Sequence, residues 1–387
     1  MARRIPLGEL CISKVPTLPY GFDDIIDYID ISSVDNESKA IIAHQEIEGT
    51  EAPSRARQLL EVGDVLVSTV RPNLNAVAYV ETAYKHTLVG STGYCVLRTK
   101  KGVDNRFVFY FCQSPYFIED MTAQATGASY PAVTASIVRN ATVPDYSLEK
   151  QKEIAQCLDS VTTLLVLRKQ QLAKLDELVK SRFIELFGTT GKPVPLTDYV
   201  WFQEGPGVRS VDFTDDGTIL LTGSNINDNA ISFGHKSDRH ISNELASGKY
   251  AHFMCEKDDI LVVSSAIDPD KFDKKVVVVD VDNKYCLNTG IIRFKPNKQY
   301  LTLGYFREFL KTDYFKHQVS NEMRGIAQMH FGPSHLKQMT ILLPDSIESL
   351  IEFEKFVQQT DKSKLAVQQS IDQLKTLKKS LMQKYFG

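Results

Sequence analysis

The stretch SLEKQKEIAQCLDSVTTLLVLRKQQLAKLDELVKSRFIELFG, residues 147–188, contains neither proline nor glycine between Ser147 and Phe187. Within it Ile154, Leu158, Val161, Leu165, Arg168, Leu172, Leu175, Val179, Arg182 and Leu186 follow a strict 4-3 spacing, the signature of a heptad seam. Ser147 and Glu149, just after Pro144 and Asp145, supply an N-terminal signal, and Gly188 stands where a helix should stop. A helix of this length rises roughly 60 Å, and so narrow an apolar stripe is stable only against another helix.

The partner is written further along the chain. From Ser346 to Phe386 a second stripe carries Phe353, Val357, Thr360, Lys364, Val367, Ile371, Leu374, Leu381 and Tyr385. The two stretches are expected to pack together as an antiparallel coiled coil, with Ile154, Leu158, Val161, Leu165, Leu172, Leu175 and Val179 facing Val367, Ile371, Leu374 and Leu381. The arginines and lysine at 168, 182 and 364 read as solvated edge residues or register setters.

The segments ahead of the two helices are related as well. IPL at 5–7 returns as VPL at 194–196, GDVLVS at 63–68 as DDILVV at 258–263, and STG at 91–93 as NTG at 288–290. SPYF at 114–117 answers TDYF at 312–315, Gly127 answers Gly325, and VPD at 143–145 answers LPD at 343–345. The order never breaks, at a shift of about 190 to 200 residues, which marks a tandem duplication. Each copy opens with short β-branched runs such as DVLVSTV (64–70), NAVAYV (75–80) and GYCVL (93–97), which read as strands. A single helix is expected over FVFYFCQSPYFIEDM, 107–121, with its counterpart at 303–319. The fold class that follows is α+β, two globular α/β domains in tandem separated by two long helices.

Composition agrees with a folded chain. Of 387 residues 43% are hydrophobic and 24% charged, and the net charge of −3 argues only weakly against nucleic acid. The six cysteines, at 11, 95, 112, 157, 255 and 286, form no C-x-x-C pair and read as reduced, mostly buried thiols. The N-terminal MARRIPLGELCIS lacks the apolar run of a signal peptide, and no stretch reaches a bilayer span, so the cytoplasm is the expected compartment.

Catalytic motifs are missing. No Pro-Pro exists to build the Asn/Asp-Pro-Pro-aromatic clamp of adenine methyltransferases, and neither G-x-x-x-x-G-K-[ST] nor G-x-G-x-x-G is present. The string Pro269, Asp270, Asp273, Lys275 places its acids too close together for a nuclease and reads as a charged turn. The histidines at 235, 240 and 252 lack convergent ligands, so no metal site is expected.

What the globular copies do offer is loops of amide, hydroxyl and basic side chains. Ser68, Thr69, Arg71, Asn73 and Asn75 follow the strand DVLV, and Thr126, Ser129 and Tyr130 follow the expected helix. The matching places hold Ser264, Ser265, Asp268, Lys271, Lys274 and Lys275, then Arg324, Gln328 and His330. Arg pairs with guanine, Asn and Gln pair with adenine, and Ser or Thr serves base edges or phosphates. Corresponding loops with different letters suit a scaffold reading two different sequences, although ordinary solvated loops would also carry such side chains.

With these residues in view, the whole chain resembles the specificity (S) subunit of type I restriction-modification systems. The resemblance rests on GDVLVSTVRPNLNAV, STGY, the G-x-S at 127–129 and, most specifically, SLEKQKEIAQCLD at 147–159, which is similar to the family's P-x-x-E-Q-x-x-I-A-x-x-L helix start. The second copy, LPDSIESLIEFEKFVQQTD, lacks the Glu-Gln pair and matches by position and heptads.

The resemblance implies a non-catalytic subunit with target-recognition domains at 1–146 and 189–345 and spacer helices at 147–188 and 346–387. Each domain would read half of a split site in double-stranded DNA, and helix length would set the spacing. The implied partners are two modification (methyltransferase) subunits and restriction motor-nuclease subunits. S-adenosylmethionine, ATP and Mg are expected on those partners, with no cofactor on this chain and no membrane. Two alternatives stand beside it: an interaction scaffold that does not bind DNA, and a DNA-recognition adaptor for a fused methyltransferase-nuclease.

Overall fold

Both stripe-bearing stretches are helical over 40 residues, Leu148–Phe187 and Ile347–Phe386, in the computed structural model, which describes residues 3–188, 191–234, 236–267, 269–321 and 329–387. Serine starts each helix. The Ser147 Oγ accepts the Lys150 N–H at 3.3 Å, and the Ser346 Oγ accepts the Ser349 N–H at 3.2 Å, satisfying donors that the first turn leaves open. Gly188, at φ 56°, ends the first helix in the left-handed conformation that glycine adopts without cost.

The chain divides into two units, residues 1–170 with 368–387, and residues 171–367. Each long helix therefore contributes one half to each unit, and within each unit the halves run antiparallel. In the first, Ile154 and Leu158 share a core with Met382 and Phe386. In the second, Arg182 bonds Glu352 while Asp176 bonds Lys364 at 2.5 Å, so numbers rise on one helix as they fall on the other. The seam residues Ile154, Leu158, Val161, Val179, Val367 and Ile371 are buried, and Leu165, Leu172, Leu175, Leu374 and Leu381 are half-buried. Two of the basic seam residues, Arg182 and Lys364, do set register, through those ion pairs.

In the first unit the run VLVS lies at the centre of a three-stranded antiparallel sheet, Val65–Ser68 between Tyr94–Leu97 and Val77–Tyr79. All four of its residues are buried, as a strand covered on both faces requires, which is why the run is apolar without alternation. A second, mixed sheet has the order Gln45–Glu48, Ile25–Ile29, Thr87–Ser91, Ala56–Leu59, with its two central strands parallel. Phe107, Tyr110, Phe111 and Phe117 pack beneath the three-stranded sheet together with Ile154, Leu158, Met382 and Phe386.

One expectation is corrected. Residues 107–121 form two helices, Asn105–Phe111 and Pro115–Gln124. The break is chemical: Pro115 cannot continue the first helix, and the Ser114 side chain caps the second by accepting the Phe117 N–H. The counterpart at 303–319 is likewise split, into Leu303–Phe309 and Asp313–Asn321, with the Thr312 Oγ1 taking the capping role.

The second unit repeats the plan. Ile260–Val263 is held between Ile291–Pro296 and Val276–Val278, and Thr218–Leu221 runs parallel to Tyr285–Leu287. The duplication reaches individual bonds. Tyr116 Oη meets Thr142 Oγ1 at 2.8 Å, and Tyr314 Oη meets Thr340 Oγ1 at 2.6 Å. Asp64 accepts the Glu61 N–H and pairs with Arg98, just as Asp259 accepts the Glu256 N–H and pairs with Arg293. Gly63 and Asp258, at the same point of the repeat, share a positive φ. Gly325 lies outside the described residues. The cysteines are free thiols, five buried and Cys157 half-buried.

Candidate nucleic-acid interface

In the first unit, backbone hydrogen bonds tie three segments into one junction. The Thr69 N–H donates to the Gly93 carbonyl and the Thr69 carbonyl accepts the Val133 N–H, both at 2.9 Å; the Arg71 N–H donates to the Pro131 carbonyl at 2.7 Å. The loops 68–75 and 126–131, distant in sequence, are thus adjacent. Gly127, at φ +105°, turns the second loop, and a Cβ there would stand 2.9 Å from the Tyr130 carbonyl oxygen.

Arg71 is an exposed cation of this junction whose backbone is held by hydrogen bonds. It sits in the left-handed region at φ 50°, which costs a non-glycine residue about 1–2 kcal/mol, and its guanidinium lies 4.8 Å over the Tyr130 ring. Tyr130 is 69% exposed. Asn73, Thr126 and Ser129 are exposed beside them. Two residues face inward instead. Ser68 is buried and bonds the Val70 carbonyl at 3.1 Å, and Asn75 is buried with its amide donating to the Cys112 carbonyl at 2.8 Å. The Thr69 hydroxyl donates to the Gly93 carbonyl at 2.9 Å. These three fix the loop, leaving Arg71, Asn73, Thr126, Ser129 and Tyr130 as its outward face.

The second unit builds the same junction around Ser264. Its N–H donates to the Gly290 carbonyl at 2.8 Å and its carbonyl accepts the Phe331 N–H at 2.9 Å. Ser265 pairs with His330 across a short ladder, and His330 is exposed. Ser264 is buried, and its hydroxyl has no hydrogen-bond partner among the described residues. Pro269–Lys274 forms a 3-10 turn carrying exposed Lys271 and Lys274. Lys274 pairs with Asp228 at 3.3 Å, whereas Lys275 turns inward to the Ile226 carbonyl at 2.8 Å and the Asn227 side chain at 2.5 Å. Burial pulls the Lys275 ammonium below its ordinary pKa. Asp268, Arg324 and Gln328 lie outside the described residues, as does His235.

Sequence reasoning passed over a neighbouring rim. The Thr92 N–H donates to the Arg55 carbonyl at 2.8 Å, which brings the strand Ala56–Leu59 against the same junction. There Arg55 is exposed, and the Arg57 guanidinium lies 3.9 Å over Tyr20, an aromatic ring 91% exposed. In the second unit the Thr289 N–H donates to the Pro206 carbonyl at 2.9 Å, and Arg209, three residues on, is exposed. The pattern R-x-R at 55–57 was the available signal.

Residues 8–177 match the type I restriction modification DNA specificity domain. The matched stretch, under half of the chain, holds the first copy and much of the first long helix. A curated relative, the type I restriction enzyme MjaVIII specificity subunit of Methanocaldococcus jannaschii, is 23% identical over 138 residues, 35% of this chain and 32% of that protein. The match thus spans about a third of that relative's length. Among solved structures, a chain described under the structural basis of complex assembly and conformational transition of the type I R-M system aligns with TM-score 0.58 at 23% identity, covering 99% of this chain and 97% of that one. The type I restriction-modification S subunit of M. genitalium aligns with TM-score 0.58 at 14% identity, covering 100% of this chain and 96% of that one. These alignments run over both copies and both long helices of the chain and show a shared fold. No helix among its described residues is long and apolar enough to cross a membrane.

Proposed function

We propose that this chain is a specificity subunit, the DNA-recognition component of a type I restriction-modification complex, with each unit reading one half of a bipartite duplex site. The observation that carries the reading is the junction built twice, around Thr69 and around Ser264, from the same three segments with different exposed side chains. A fixed backbone presenting variable letters is what two different base sequences demand of one scaffold. Arg71, Asn73, Thr126, Ser129 and Tyr130 are assigned to one half-site, with Arg55 and Arg57 beside them. Ser265, Lys271, Lys274 and His330 are assigned to the other, together with Arg324 and Gln328.

The chain acts without catalysis of its own. Methyl transfer and restriction belong to partner subunits that carry S-adenosylmethionine, ATP and Mg, and the partners' surfaces add phosphate neutralisation that a chain of net charge −3 does not supply alone. The exposed Leu164, Val166 and Leu167 on the first long helix are the kind of apolar surface that a modification subunit covers. Methylome sequencing of the host with and without the gene tests the proposal. Loss of methylation at one bipartite motif is expected, and an unchanged methylome would contradict it.

A further inference from the structure

On the mixed sheet of the first unit, Asp27 of strand Ile25–Ile29 lies opposite Glu46 of the edge strand Gln45–Glu48. His44 precedes that edge strand, and His86 immediately precedes Thr87–Ser91, the strand on the other side of Asp27. Folding therefore gathers two imidazoles and two carboxylates from three separate stretches of sequence.

Their arrangement is unusual for a set of structural side chains. Asp27 is fully buried; its Oδ2 accepts the His86 N–H at 2.7 Å, but its Oδ1 accepts no hydrogen bond among the described residues. That oxygen's nearest charged neighbour is the His44 Nε2, paired with it at 3.5 Å without a hydrogen bond. The donor atoms of Asp27, His44 and Glu46 all lie within 4.8 Å of one another. The His86 Nε2, itself buried without a hydrogen-bond partner, stands 3.9 Å from the Glu46 Oε2. A buried carboxylate oxygen left without a donor is destabilising and calls for a cation.

The scaffold does not need these groups. In the second copy the strand Thr218–Leu221 makes the same parallel pairing, and there Ile219 faces Tyr285 where Asp27 faces Leu88. An apolar residue serves that position, so the charged cluster of the first copy is an addition to the fold.

We propose that Asp27 Oδ1, His44 Nε2 and the Glu46 carboxylate bind a divalent transition metal of the zinc class, with His86 Nε2 in reach of the fourth position. Bonds of about 2.0–2.2 Å to a tetrahedral centre place neighbouring donors about 3.3–3.6 Å apart, and the Asp27–His44 pair already stands at that separation. Two imidazole donors select against magnesium and calcium, which take oxygen ligands. The His44 ring is set by an edge-on contact with Tyr84, centroids 5.2 Å apart, and the backbone N–H of His86 orients the Asp27 carboxylate. The bound ion is structural: it clips the edge strand Gln45–Glu48, whose residues are otherwise largely exposed, to the buried strand beside it.

The full-length chain, stripped with a chelator, exposed to zinc and desalted, is assayed for retained metal. About one zinc per chain is expected, with at least about tenfold less in Asp27→Asn and in His44→Gln. His44 is partly exposed, so its variant folds whether or not the buried Asp27 variant does. Zinc should also raise the thermal midpoint of the parent chain and leave that of His44→Gln unmoved. A parent chain that retains no zinc overturns the proposal, and so does a His44→Gln chain that retains as much as the parent.

Discussion

Arg106 donates its Nε–H to the Asp159 carboxylate at 3.0 Å, locking the helix Asn105–Phe111 onto the first long helix. The second copy repeats the clamp: Arg307 donates to Asp361 at 2.8 Å, from Leu303–Phe309 to the second long helix. In the first copy Tyr110 Oη adds a bond to the same Asp159 oxygen at 2.5 Å, so that one carboxylate serves two donors. Asp159→Ala removes the carboxylate that both donors share, leaving Arg106 with Glu81 at 2.7 Å and Tyr110 with only the Thr162 hydroxyl at 3.5 Å, and should lower stability by about 2 kcal/mol in urea denaturation. Asp361→Ala should act in the same direction through Arg307, which retains Glu308.

Phe386, one residue from the end of the sequence, is fully buried against Phe107 and Phe111, with ring centroids 5.4 and 5.8 Å apart. Its carbonyl also accepts from Arg4 at 3.1 Å. The last helix turn therefore completes a core made largely by residues near the other end of the chain. Phe386→Ala should cost about 3–5 kcal/mol, and hydrogen exchange should speed up in residues 105–124. Unchanged protection there would show that the first unit is closed without the helix end.

The buried thiols give a pH dependence with a definite sign. Burial pushes Cys11 from 9.0 to about 11 and Cys95 from 9.0 to about 12. The unfolded thiols ionise near 9.0 while the folded ones stay neutral, so their contribution is complete below pH 9 and is lost as pH rises toward the folded values. Stability should fall between pH 9 and 11, by about 1.4 kcal/mol per thiol for each pH unit. Lys39 opposes the trend. Burial pulls its ammonium from 10.5 to about 8, so its own contribution grows as pH rises over that interval. Cys11→Ala and Cys95→Ala should flatten the alkaline loss, and Lys39→Met should steepen it, when urea curves at pH 8 and 10.5 are compared.

The 4-3 stripe and the ordered repeat made the two helices and the duplicated plan legible, because both are patterns of residue type along the chain. The split at Ser114 was written as Ser-Pro, but the apolar residues on either side of it masked a break that only the capping bond makes plain. The mixed sheet escaped notice because its strands are short, and the edge strand QEIE carries one apolar residue that is only half-buried. At the candidate interface, the sequence marked two loops that the fold brings together but could not separate their outward from their inward side chains. Ser68 and Asn75 look like base readers by type, yet burial and backbone partners turn them into supports. Asp27, His44 and Glu46 form a cluster only once an antiparallel pairing brings them together.

Arg71 separates folding from recognition. Its left-handed backbone is strained, so Arg71→Gly should leave stability unchanged or slightly higher, within about 1 kcal/mol in urea denaturation. The same variant removes the side chain that reaches outward over Tyr130. Stability lost by more than that would mean that the guanidinium holds the loop together.

The most direct measurement is selection from a randomised duplex library by the full chain assembled with the proposed modification partner, run with the parent chain and with Arg71→Ala. The parent should enrich two short elements at one fixed separation, and Arg71→Ala should lose preference in one element while keeping the other. Equal weakening for every sequence, or enrichment of a single undivided element, would contradict the two-reader account.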